Sequence, residues 1–191
     1  MKQQETTATQ SNVRKTLLAV AALFFISAGG AMGQGNLGYL VSDAGFDWVI
    51  GKWEATNDEG DKIELEYKWE LNKNMISMQL KWPNFEYRGM IFYVPAKEEV
   101  VQIGVDNGGG NGKGRWEAIG NKAVLKYEHA GLYGETTRMG LAHSKVDAKT
   151  IKVEVYELDS DGNLAEEPGL TMEYKRQQPQ SGEKKDSEKT P

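Results

Sequence analysis

The chain has no cysteine among its 191 residues. Disulfides, thiolate metal sites, thiol nucleophiles and lipid attachment at a cysteine are thereby excluded. It holds only two histidines, too few for a His/Cys zinc set. Long apolar runs are scarce too. The one that stands out is Thr16 to Ala28, about 13 residues against the roughly 20 that a membrane-crossing helix needs. Arg14 and Lys15 precede it, and Ala31-Met32-Gly33 follows with small residues. That is the pattern of an export signal. Residues 1–33 are therefore expected to be a signal peptide cleaved near Gly33, leaving a periplasmic or extracellular protein with no membrane span. Taking its three basic and one acidic residue from totals of 23 and 28 leaves 20 and 27, a net charge of −7. A nucleic-acid binder needs a basic footprint, so that partner is excluded.

Helix-forming patterns are also missing, and alternation is present instead. In DKIELEYKWE (61–70), Ile63, Leu65, Tyr67 and Trp69 take one face, and Glu64, Glu66, Lys68 and Glu70 the other. ISMQLKW (76–82) repeats the period with Ile76, Met78, Leu80 and Trp82 inward. Period two is the mark of a half-buried strand. Further short strands are predicted at 85–94, 99–105, 114–119, 123–130, 135–144, 150–158 and 169–176, separated by Gly, Asn, Asp and Pro turns. With the segment starting at Gly51 they number about ten. No stretch between them suits a crossover helix, so pairing should be antiparallel. The expected fold is all-β: an antiparallel up-and-down barrel over residues 39–176, closed because closure removes exposed sheet edges. A two-sheet sandwich is the alternative. Residues 177–191 carry no aliphatic or aromatic side chain and are expected to be a disordered polar tail whose removal leaves the melting temperature unchanged.

FDWVIGKWEAT (46–56) packs two tryptophans around a glycine. Ser42 suits an N-cap, and Asp43 to Val49 can form one or two helical turns presenting Phe46, Val49 and Ile50 to one side. Gly51 ends them. From there, strand parity turns Trp53 inward. On the last strand Leu170, Met172, Tyr174 and Arg176 share a parity, so Arg176 leans inward at the strand end. First and last strands pair in such a barrel, which lets the guanidinium stack on Trp53 and bond carbonyls of the helical plug. Gly51-Lys52-Trp53 with Arg176 resembles the calycin arrangement of lipocalins and fatty-acid-binding proteins. FDWVIGKWEA resembles the opening of uncharacterised secreted bacterial proteins with lipocalin-like barrels. The resemblance implies a barrel holding a small apolar or amphipathic ligand, with Gly51, Trp53 and Arg176 as its structural signature. It departs from lipocalins, which have eight strands and a C-terminal helix, and from fatty-acid-binding proteins, whose two-helix lid is replaced here by Asn57-Asp58-Glu59-Gly60. The ten-stranded nitrobindin group binds haem, but its further alternating glycines are absent from Glu54-Ala55-Thr56-Asn57.

Signatures of catalysis are lacking. There is no Gly-x-Ser-x-Gly elbow. DNGGGNGKGRW (106–116) has Asn107 where a phosphate loop needs its first glycine, and Gly114 where it needs Ser or Thr; it is expected to be a flexible mouth loop able to gate access. DSDGN (159–163) lacks the sixth-position glycine of a calcium loop and suits a hairpin turn. Glu54, Glu64, Glu66 and Glu70 fall outward, so no buried acid–base pair is expected. The chain is expected to be no enzyme, to carry no cofactor and to hold no metal. The expected ligand-binding residues are the inward Tyr67, Trp69, Met78, Trp82, Tyr127, His129 and Met139, beside Leu80 and Val153. His143 also shares an inward parity. The expected function is binding of a small hydrophobic ligand; the alternatives are an interaction barrel with a filled core and a haem-binding barrel using His129 or His143.

Overall fold

The computed structural model describes residues 35–178. The export signal expected at 1–33 and residues 179–191 of the expected tail lie outside that range. Ten strands form: β1 (Gly51–Thr56), β2 (Lys62–Glu70), β3 (Met75–Trp82), β4 (Phe85–Val94), β5 (Glu99–Asp106), β6 (Asn111–Ile119), β7 (Lys122–Ala130), β8 (Thr136–Lys145), β9 (Thr150–Glu157) and β10 (Leu170–Arg176). Each pairs antiparallel with its sequence neighbours, and β1 pairs with β10 to close the barrel. This is the expected up-and-down topology, and the sandwich does not occur. Gly51, Trp53 and Ala55 lie opposite Tyr67, Leu65 and Ile63, so two inward faces meet in register, as the alternation requires. Trp53, Ile63, Leu65, Tyr67, Met78, Leu125, Ile151, Val153 and Tyr174 are buried in one continuous core inside the barrel.

The plug begins earlier than the sequence pattern predicts. Helix α1 spans Leu37–Asp43, with Asn36 as its cap: the Tyr39 amide donates to Asn36 Oδ1 at 2.9 Å. Ser42, the expected cap, sits in the last turn. The helix cannot run on to Val49 because Gly45 adopts φ +72°, and only a single 3-10 turn, Asp47–Val49, follows. The plug is bolted at its far end. Arg176 donates to Trp48 O at 2.7 Å and Ile50 O at 2.8 Å, and its guanidinium carbon lies 3.9 Å from the Trp53 ring centroid. Trp53 Nε1 donates to Val49 O at 2.9 Å. The inward-leaning arginine and its platform are thus both as expected.

Gly51 is required where it stands. Its φ is +140°, and an added Cβ would run into the Arg176 guanidinium. Gly51→Ala is therefore expected to cost at least about 2 kcal/mol by combining backbone strain with displacement of that guanidinium. Urea denaturation measures it; an unchanged midpoint would remove this account of the Gly-x-Trp pairing with arginine.

Three further expectations are corrected. Trp82 shares its parity with Met78 and Leu80 but is 37% exposed, as is Phe85, its partner across the tight β3–β4 turn. Parity chooses a face, whereas depth along the barrel axis chooses burial, and Trp82 lies at the open mouth. Second, β6 starts at Asn111, not 114, so Gly112 and Gly114 are strand residues. Only 107–110 form the turn, and it is a held turn: Asp106 Oδ1 accepts the amides of Gly108 at 2.8 Å and Gly110 at 3.0 Å. Third, the polar tail does not begin at Gln177, whose amide donates to Lys52 O at 2.8 Å and extends the β1–β10 ladder.

The glycines of β4 to β6 answer the tyrosines. Side chains at Gly89 and Gly104 would collide with the Tyr87 ring, and one at Gly112 with the Tyr127 ring. Across that space runs a polar chain. Trp116 Nε1 donates to Gln102 Oε1 at 3.1 Å, Gln102 Nε2 donates to Tyr87 Oη at 3.3 Å, and Tyr127 Oη donates to the same oxygen at 2.8 Å. Among the described residues no buried side-chain nitrogen or oxygen lacks a partner. The chain fills the barrel's waist with paired polar groups, so their burial costs little.

Candidate functional site

At the plug end the packing opens. A cavity of about 180 Å³ lies between the plug and the inner wall. Leu40 and Val41 of α1, Phe46 and Val49 face it from the plug side, with Tyr67, Ile76, Ile91, Val100, Trp116 and Ala123 on the wall. Local chemistry builds each side. The α1 residues reach it because the helix is pinned by Asn36 and by the close seat of Gly38 on Lys73, where a Cβ would sit 2.8 Å from the lysine Cβ. The wall residues reach it because each takes the inward parity of its strand near the strand's plug end.

The aromatic wall carries two polar atoms, and both are committed. Tyr67 Oη lies 2.9 Å from His143 Nε2. His143 Nδ1 lies 3.3 Å from Leu141 O. A carbonyl only accepts, so Nδ1 carries the proton and Nε2 accepts from the Tyr67 hydroxyl. His143 is 2% exposed, and burial pulls its pKa down to about 4, so the ring is neutral. Burial, with the negative charge that Tyr174 and Tyr87 would bring, drives the Tyr67 phenol far above its ordinary value. Trp116 stands 5.1 Å from the His143 ring and edge-on to Tyr67 at 6.4 Å, with its N–H spent on Gln102. Glu117 borders the cavity, but its carboxylate is drawn to Arg115 at 2.7 Å and Lys126 at 3.2 Å.

The residues expected to bind a ligand do not converge. Tyr67 lines the cavity. Trp69 lies half-buried at the same end, with Lys73 Nζ 5.9 Å from its ring centroid. Met78 is buried in the core, Tyr127 belongs to the waist network, and Met139 packs half-buried against the core, paired with Tyr127 and Glu157. Trp82 and His129 are at the opposite mouth. There His129 Nε2 lies 2.7 Å from Asp106 Oδ2, and this bond is the main reason the Asp106 carboxyl titrates below its usual range. Each histidine thus has its Nε2 engaged by a protein group, which argues against haem ligation through that atom. Among the described residues, no group of three or more His, Asp or Glu side chains stands ready for a metal.

Trp116, Ile91 and Val100 were missed as site residues. Their parities were legible. Gly112, Gly114, Trp116 and Ala118 alternate with Lys113, Arg115 and Glu117. The small residues hid the pattern that the charges display. No protein-family model matches the chain, and no curated protein matches it either.

Proposed function

We propose that the protein is an exported, non-catalytic barrel of the calycin type that binds a small apolar molecule in the cavity beneath its plug. One observation carries the reading: the 180 Å³ space walled almost wholly by hydrocarbon. A dry apolar cavity of about 150 Å³ accepts a guest of benzene size, so this one suits a single ring with one or two carbon substituents. The waist network stops a longer chain from threading the barrel, which narrows the ligand from amphipathic lipids to compact molecules. The absence of catalysis is supported by the wall itself, where Tyr67, Trp116 and Glu117 all spend their polar atoms on protein partners. The calycin kinship is supported by Gly51, Trp53 and Arg176 acting together.

Xenon and p-xylene test this by NMR. Both are expected to shift the amide signals of Leu40, Phe46, Tyr67 and Trp116, and Ala123→Phe, which fills the cavity, is expected to abolish the shifts while the circular dichroism of the barrel persists. A wild-type spectrum indifferent to both guests would sink the reading. It would favour the solid interaction barrel that the filled waist also suits.

A further inference from the structure

We infer that the cavity accepts only hydrocarbon groups, and that His143 and Gln102 are the residues setting this selectivity, by occupying the two hydrogen-bonding atoms that the aromatic wall would otherwise offer a guest. The inference rests on the binding reading above and names the class of molecule that site takes.

The Tyr67 hydroxyl and the Trp116 N–H are the polar atoms of the aromatic wall. A tyrosine and a tryptophan in a binding cavity ordinarily present these atoms to a ligand. Here they face away from it. Tyr67 donates to His143, which has no proton on Nε2 to pass on and holds its other nitrogen on the Leu141 carbonyl. Trp116 donates to Gln102, whose amide nitrogen is in turn held on Tyr87. His143 and Gln102 are each 2% exposed, so neither exchanges its partner for water. Five plug carbonyls are committed as well: Val49 O to Trp53, Trp48 O and Ile50 O to Arg176, Val41 O to the Phe46 amide and Leu40 O to that of Ala44. A guest hydroxyl placed against this surface gives up its bonds to water and gains none, and an unpaired buried polar group is strongly disfavoured.

Three probes of one shape test it: p-xylene, p-cresol and hydroquinone, each a ring with two para substituents and about eight non-hydrogen atoms, within the size allowed. Calorimetric or NMR titration is expected to show p-xylene binding, p-cresol at least about tenfold weaker, and hydroquinone, which cannot avoid burying a hydroxyl, without measurable affinity. His143→Ala opens space beside a freed Tyr67 hydroxyl, and the p-xylene to p-cresol ratio is expected to narrow by about tenfold. Tyr67→Phe in that background is expected to restore the wild-type ratio. The wild-type ranking decides the matter should His143→Ala not fold. Binding of p-cresol or hydroquinone as tightly as p-xylene would overturn the selectivity while leaving the binding barrel standing. Failure of all three to bind would overturn both.

Discussion

Trp53→Ala is expected to lower the unfolding free energy by about 3–5 kcal/mol, the range for truncating a large buried aromatic side chain. The indole is 1% exposed where the plug meets the core, so its deletion opens a void the barrel wall cannot close. Its effects extend beyond packing. The N–H that holds Val49 O disappears, and the face beneath Arg176 goes with it. Burial already disfavours the charged Arg176, whose pKa it lowers. The ring's π-face and the two plug carbonyls offset that penalty. A double-mutant cycle with Arg176→Met is therefore expected to show a coupling of about 1 kcal/mol. Chemical denaturation of the four proteins gives both numbers. A loss below about 1 kcal/mol for Trp53→Ala would place the indole outside the load of the fold and dissolve the link from barrel closure to plug.

Acid is expected to weaken the barrel through His143 as the pH falls below 6.5. The buried ring has a pKa near 4 against an ordinary value of 6.5, and the cause is desolvation, which penalises the imidazolium. Its folded pKa is depressed, so the unfolded chain takes up the proton first as pH falls. The stabilisation is complete above pH 6.5, declines between 6.5 and about 4, and is gone below. At about 1.4 kcal/mol per pKa unit the full loss amounts to about 3 kcal/mol. His143→Gln keeps a side-chain acceptor for Tyr67 and cannot titrate. Unfolding free energies of the two proteins, measured between pH 7 and pH 4, are expected to converge as the wild type loses its advantage. Parallel profiles would show that His143 is not neutral and buried in the native state. Carboxylates such as Asp106 and Glu154, held low by His129 and by Lys122 respectively, add their own losses at lower pH in both proteins, so the difference isolates the imidazole.

The plug shows where local signals stop. Both Asn36 and Ser42 carry the chemistry of a helix cap, and Gly45 can end a helix or continue a loop. The helix that forms is seated through Gly38 on Lys73, 35 positions away along the chain. The binding residues show the same boundary. Tyr67, Met78, Tyr127, Met139 and Trp82 were all assigned to the inner face from their parities, and all five lie on it. They are nevertheless spread from the plug to the far mouth, and only Tyr67 reaches the cavity.

Alternation of apolar and charged residues, with turn residues between, determined by itself the all-β class, the ten strands, their antiparallel order and the inward turn of Trp53 and Arg176. Those properties follow from a backbone whose side chains point to opposite faces at every step, and a step is local. The tertiary structure alone decided which inward side chains stand at the same height: Tyr67 against His143, Trp116 against Gln102, Tyr87 against Tyr127. Height depends on how the strands stagger as the sheet closes, a relation among all ten of them that no single strand records. The cavity, and the pairing that engages the Tyr67 hydroxyl and the Trp116 N–H beside it, arise from that stagger.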